Sequence, residues 1–319
     1  MARNLGFSGV WLGLVLESKL TFKGVWRLKN TPYFIAEVSS NHHQDLDRCL
    51  AFIDTAADIG CDAVKFQLFK IDKLFAPEIL DRSAKHRARS QWELPESFLP
   101  KLRLRCDHRG IDFSCTPFDL EAVEALKPYV SFYKIASYEL LWSDLLRACG
   151  ATSKPVILST GMANLDEIME AVGHLSDSGC QDLKLLHCSS AYPTPPEAAN
   201  LAAMMTIARA TGCAIGWSDH TRNPGVIHRA IHRWGASVIE FHLDLEGKGG
   251  EYEAGHCWLP DEMAAVIKGV RDAFAADGHG RKEPNKEEMP DRDWRADPFD
   301  GLRPLSRTRA QFKGDRDGE

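Results

Sequence analysis

What most constrains the fold of this chain is an alternation of two kinds of segment. From Tyr33 onward, short β-branched and aromatic runs alternate with longer amphipathic stretches. Eight runs can be counted: residues 33–38, 61–68, 111–116, 132–137, 155–160, 183–189, 214–219 and 237–243. Between them, Leu46, Leu50, Ile53 and Ala57 recur at helical spacing, and Asn164 stands as an N-cap ahead of a helix over 165–175. Strands alternating with helices pair in parallel, because a parallel connection needs a crossover helix. Eight such units in about 250 residues is the size of a closed (β/α)8 TIM barrel. The competing arrangement, a doubly wound open sheet, would place a glycine-rich phosphate turn after an early strand; the first turn here reads Ser39-Ser40-Asn41-His42-His43. The expected organisation is an N-terminal extension (1–32), one TIM-barrel domain (33–280) and a charged C-terminal tail (281–319). That tail has ten basic and ten acidic residues and few apolar ones, too few for a core of its own.

Composition narrows function by exclusion. A formal charge of −6 over 319 residues supplies no basic field for nucleic acid. The nine cysteines stand singly with no CxxC pair, as reduced thiols of a cytoplasmic protein do. The apolar run over 5–16 is too short to span a bilayer and lacks a small-residue cleavage site after it, which argues against a membrane or secreted protein.

A barrel does its chemistry at the C-terminal ends of its strands. Those ends here carry Glu37; Lys65 and Gln67; Thr116; Lys134 and Ser137; Ser159 and Thr160; Ser189 and Ser190; Ser218, Asp219 and His220; and Glu240 and His242. Each has a structural alternative. A strand-end hydroxyl commonly caps the next helix, Lys65 has the apolar neighbours of a residue paired with a buried carboxylate, and His242 those of a hydrogen-bonded core histidine. Convergence on one mouth favours the chemical roles. Lysines and hydroxyls hold phosphate or carboxylate, and neutral imidazoles on neighbouring strands suit Mn²⁺, Zn²⁺ or Co²⁺. The residues alone thus point to a metal-assisted enzyme acting on a small phosphorylated or carboxylated substrate.

Eight spellings at these ends carry a more specific signal: Ile35-Ala36-Glu37 with Asn41-His42, Ala63-Val64-Lys65-Phe66-Gln67, Ser114-Cys115-Thr116-Pro117-Phe118-Asp119, Tyr133-Lys134-Ile135-Ala136-Ser137, Leu158-Ser159-Thr160-Gly161-Met162, Leu186-His187-Cys188-Ser189 with Tyr192-Pro193, Gly216-Trp217-Ser218-Asp219-His220-Thr221, and Ile239-Glu240-Phe241-His242. In this order they resemble the N-acetylneuraminate (sialic acid) synthase family. The resemblance implies condensation of phosphoenolpyruvate with the aldehyde of an N-acyl amino sugar of the N-acetylmannosamine type, giving a nonulosonic acid and phosphate. It implies a divalent metal, Mn²⁺ first with Mg²⁺ or Co²⁺ as alternatives, on His220 and His242, and a homodimer as the assembly. Glu37, Lys65 and Glu139 would be catalytic. Lys65, Ser159, Ser189 and Ser218 would meet the carboxylate of phosphoenolpyruvate, Thr116, Lys134 and Ser137 its phosphate, and Glu37, Gln67, Glu139 and Tyr192 the sugar and reacting carbons.

Departures from the family pattern bear on the sugar end. The family's small antifreeze-like domain, which caps a partner's site and supplies an arginine, has no counterpart, so Arg281, Arg295 or Arg303 of the tail is expected to stand in for it. The family's sugar-facing aspartate is replaced, and counting eleven residues on from His242 gives Glu253 that place. Tyr138 follows the fourth-strand serine where a small residue is usual. Two other readings stay open. One is a different acceptor, a diacetamido-trideoxy sugar or a sugar phosphate met by His86, Arg87 and Arg89. The other is a non-catalytic barrel that binds a sugar or a partner.

Overall fold

The computed structural model describes residues 31–313; the expected extension over 1–32, with its apolar run, lies almost wholly outside them. Eight parallel strands close into one barrel in chain order: β1 (Tyr33–Glu37), β2 (Ala63–Leu68), β3 (Asp112–Pro117), β4 (Phe132–Ile135), β5 (Val156–Ser159), β6 (Leu183–His187), β7 (Ala214–Asp219) and β8 (Val238–His242). Each expected run contains its strand or differs from it by one residue. The principal helix after each strand is α1 (Leu46–Asp58), α2 (Leu99–Arg109), α3 (Leu120–Leu126), α4 (Ser143–Gly150), α5 (Leu165–Asp177), α6 (Ala203–Thr211), α7 (Pro224–Trp234) and α8 (Pro260–Ala276). Side chains start several of them. Asp45 accepts from Arg48 N at the head of α1, and Asn164 forms a full capping box with Glu167 ahead of α5.

The period-two alternation of a strand divides the barrel interior into levels. Toward the strand starts, Ile35, Ala63, Phe132, Ile157, Leu186 and Val238 form a buried apolar cluster, with Tyr33 packed against it. Two residues further along, five of these six strands turn polar, with Glu37, Lys65, Lys134, Ser159 and Glu240, and the sixth reaches Cys188. The apolar level is the floor, and the polar level is the base of the mouth. Gly216 belongs to the floor for a steric reason. A Cβ there would sit 2.4 Å from Val238 O and 2.5 Å from Leu186 Cδ2, so the strand position has room only for hydrogen.

The chain divides into two compact units between Asp272 and Ala273. The second is organised by polar contacts. Asp297 accepts from Phe299 N and Ser306 N, Arg309 forks onto Asp300, and the Trp294 ring meets Phe312 edge-on. All nine cysteines are free, and among the described residues no helix is long and apolar enough to cross a membrane. Gly216→Ala should cost about 1–3 kcal/mol through overpacking, read as a lower urea midpoint at unchanged slope; an unshifted midpoint would show that the floor has space.

Candidate active site

Sheet pairing brings the polar level together. Glu37 is in register with Lys65 on one side and with His242 on the other, Ser218 with Glu240, and Gln67 with Thr116. The side chains then connect. The Lys65 ammonium pairs with Glu37, donates to Thr116 Oγ1 at 3.1 Å and lies 3.8 Å from Glu240 Oε2. Lys134 Nζ is 3.3 Å from Glu240 Oε1, to which Ser218 Oγ also donates at 3.1 Å. Gln67 Nε2 donates to Glu37 Oε1 at 2.6 Å. Glu240, which the motif reading noted without giving it a role, therefore bridges both lysines, and all four charged groups are buried.

The two lysines differ. Burial works against the charge of Lys65, but Glu240 and Glu37 outweigh it and its pKa rises. At Lys134 burial wins over Glu240, and the charge of Lys65 adds to it, so the pKa falls. Lys134 is the ammonium with unsatisfied demand for an anion. Near it, burial lifts Glu139 to about 7 against the pull of Lys134, and Glu139 Oε2 has no hydrogen-bond partner. A carboxyl poised there can give or take a proton at neutral pH.

Hydroxyls complete this side. Ser137 Oγ accepts from Gly161 N at 3.0 Å and lies 3.3 Å from Cys188 Sγ, while Ser159 Oγ and Ser190 Oγ are buried without partners. Gly161 lets them converge, since a Cβ there would sit 2.2 Å from Ser190 Oγ and 2.9 Å from Ser137 Oγ.

The opposite side of the mouth holds imidazoles. His220 Nδ1 lies 2.7 Å from the Ser189 carbonyl, and burial lowers the His220 pKa to about 3, so the ring is neutral. A neutral ring that donates through Nδ1 leaves the Nε2 lone pair free for a metal. The His220 and His242 rings are 5.4 Å apart, and Tyr192 lies 4.2 Å from the first and 5.9 Å from the second. His242, Glu251, His256 and Cys257 offer ligand atoms that all lie within 4.8 Å of one another. A metal therefore fits here.

The structure does not bring Glu253 to this group: it is exposed, and Glu251 meets His242 Nδ1 at 3.4 Å. Both glutamates lie on one helical turn, Gly250–Glu253, where two residues are about 200° apart around the axis. A count of residues could not see that turn. His256 and Cys257 were also missed, because their approach depends on long-range pairing. The basic cluster of the second loop is committed locally: His86 packs on Phe75, Arg87 caps Leu80 O and Arg89 lies over Phe75 and Trp92.

Fold and site together describe a class, a TIM barrel with a buried level of paired charges beside a cluster of imidazoles, a carboxylate and a thiol that could hold a metal. Comparison with known proteins gives the family. Residues 52–282 match the NeuB family. The chain is 36% identical over 270 residues to N,N'-diacetyllegionaminic acid synthase of Campylobacter jejuni, covering 80% of each chain. To pseudaminic acid synthase of the same species it is 30% identical over 272 residues, covering 82% of this chain and 79% of that one. It superposes on the N-acetylneuraminic acid (sialic acid) synthetase of Leptospira borgpetersenii with a TM-score of 0.72 at 31% identity, covering 82% of this chain and 90% of that one. The chain belongs to the NeuB family and is a sialic-acid-type synthase.

Glu240→Gln should destabilise the fold by about 3–5 kcal/mol, the cost of leaving buried charge uncompensated. Burial alone would raise the Glu240 pKa, but Lys134 and Lys65 hold it well below the carboxylate range. The advantage of the parent over the variant is therefore present above the ordinary glutamate pKa and fades as pH falls below it. Denaturant titrations across pH should show the two curves converging in acid; a constant gap would mean that Glu240 is not the charged partner.

Proposed function

We propose that the protein condenses phosphoenolpyruvate with the aldehyde of an N-acyl amino sugar of the N-acetylmannosamine type, releasing phosphate and a nonulosonic acid. The observation that carries this is the buried pair Lys65 and Lys134 around Glu240, facing imidazoles across one mouth. Lys134 has one carboxylate within ion-pair distance, Glu240, where Lys65 has two, so it is the one that takes the phosphate, with Thr116 and Ser137 as hydroxyl donors. Lys65, Ser159, Ser189 and Ser218 receive the carboxylate. A divalent metal on His220 and His242 would supply Lewis-acid polarisation of the aldehyde.

The chain's own groups do the rest. Fixed cations hold phosphoenolpyruvate so that its enol carbon attacks the aldehyde carbon and forms the new carbon–carbon bond. Water then adds at the neighbouring carbon, the one that bears the phosphate oxygen, and gives a proton to Glu37, which Gln67 orients. The tetrahedral intermediate breaks its carbon–oxygen bond and expels phosphate. Glu139 moves protons near the reacting oxygens, and Tyr192 stands by the sugar.

The acceptor stays within the N-acyl amino sugars. A sugar phosphate would need a cluster of free cations, and within this loop His86 packs on Phe75 while Arg87 donates to Leu80 O. The test is phosphate release from phosphoenolpyruvate with metal and a panel of sugars. Release that depends on an N-acyl amino sugar supports the proposal; release that depends on a sugar phosphate, or none with any sugar, contradicts it.

Two variants sharpen it. Lys134→Met should weaken phosphoenolpyruvate by about 1.5–3 kcal/mol, roughly tenfold or more, and sugar binding far less; calorimetry showing unchanged phosphoenolpyruvate affinity would move the phosphate elsewhere. Glu139→Gln should remove an ionisation near pH 7 from the kcat/KM profile. A profile with that limb intact would assign it to another group.

A further inference from the structure

After β8 the chain makes one helical turn, Gly250–Glu253, and returns alongside the strand end, where Leu243 and Trp258 form a parallel bridge. Trp258 N donates to His242 O at 2.8 Å, Asp244 N to Trp258 O at 2.9 Å, and the Trp258 indole to buried Asp219 at 3.0 Å. This anchorage lays His256 and Cys257 beside the end of β8. From the other side, Ser40 N in the loop after β1 holds Glu251 Oε1 at 3.0 Å.

His242 Nδ1 lies 3.4 Å and His256 Nε2 lies 4.0 Å from the same oxygen, Glu251 Oε2. With Cys257 they bring two imidazoles, a carboxylate and a thiol within 4.8 Å. His256 is 5% exposed, yet its Nδ1 has no hydrogen-bond partner. With Nδ1 unpaired, no hydrogen bond fixes the tautomer, and Nε2, the nitrogen 4.0 Å from Glu251, can offer its lone pair to a metal. Cys257 is fully buried next to it, with the Asn41 amide 3.9 Å from its sulfur. His242 and Glu251 keep partial solvent access, so a ligand could approach from their side.

We propose that Glu251, His256 and Cys257 join His242 around the metal that His220 also faces, and that the thiolate makes this set select Zn²⁺ or Co²⁺ over Mn²⁺ and Mg²⁺. This rests on the metal at His242 in the proposed reaction and adds its identity. Imidazole and carboxylate alone bind the whole series; a thiolate is a soft ligand that discriminates against the hard ions.

The test is spectroscopic. Metal-free full-length protein titrated with Co²⁺ should develop a near-ultraviolet thiolate-to-cobalt charge-transfer band. Cys257→Ser should abolish the band, and so should Cys257→Ala, kept as a second variant in case the first folds poorly by circular dichroism. Cys213→Ser, on a half-buried thiol away from these residues, should retain it. Zn²⁺ affinity should fall in Cys257→Ser by at least the roughly tenfold to hundredfold that losing even an outer-sphere partner costs, with a smaller change for Mn²⁺. No band in the parent, or a band that survives both Cys257 variants, overturns the proposal. Amino-sugar-dependent phosphate release measured on the same parent protein separates the two ideas. Release without the band overturns the metal set alone, and the band without release overturns the reaction alone.

Discussion

One buried carboxylate holds the mouth of this barrel together. Glu240 stands on the last strand and faces the ammonium groups of β2 and β4 and a hydroxyl of β7. It occupies that place because β8 pairs with β1 over five residues, from Tyr33 with Val238 to Glu37 with His242. Without that closure, Lys65 and Lys134 would be two like charges in a water-poor interior with Glu37 beside only one of them. Isolated buried charges are expensive, whereas paired ones are tolerable. Closure of the sheet and assembly of the charge level are thus one event.

The same arrangement bears on the phosphate site proposed at Lys134. Two glutamates and two lysines balance, yet the balance is uneven. Lys65 has the company of Glu37 and Glu240, and Lys134 shares Glu240 with Lys65 and Ser218. A phosphate that competes for Lys134 therefore disturbs one contact and leaves the Lys65–Glu37 pair standing. The imidazole side is built on a different device. The Ser189 carbonyl orients the Nδ1 of His220, and Glu251 lies 3.4 Å from the Nδ1 of His242.

Much of this was legible in the sequence because a barrel turns strand order into spatial convergence. Of the strand ends named there, Glu37, Lys65, Gln67, Thr116, Lys134, Ser218 and Glu240 are joined by contacts, whereas Asp219 accepts from the Trp217 and Trp258 indoles and Thr160 donates to Leu186 O; Asn164 does cap its helix. Lys65 does pair with a buried carboxylate, as its apolar neighbours suggest, and that carboxylate, Glu37, is itself one of the strand-end residues. Legibility stopped where the geometry is set by the route of a loop. Glu251 and Glu253 are equally acidic in the sequence, and only the single helical turn decides which faces His242. Cys257 reaches β8 through a bridge between residues fifteen apart, for which neither strand nor helix period gives a signal. Glu240 was visible as a strand-end acid, but the two lysines it pairs with lie more than a hundred residues earlier in the chain.

The direct measurement is the fate of the oxygen that bridges carbon and phosphorus in phosphoenolpyruvate. With that oxygen isotopically labelled, a single turnover on an N-acyl amino sugar should deliver the label to inorganic phosphate, because water enters at carbon and the carbon–oxygen bond breaks. Label retained in the organic product would mean attack at phosphorus, and the charge level at Lys65, Lys134 and Glu240 would then serve a different reaction.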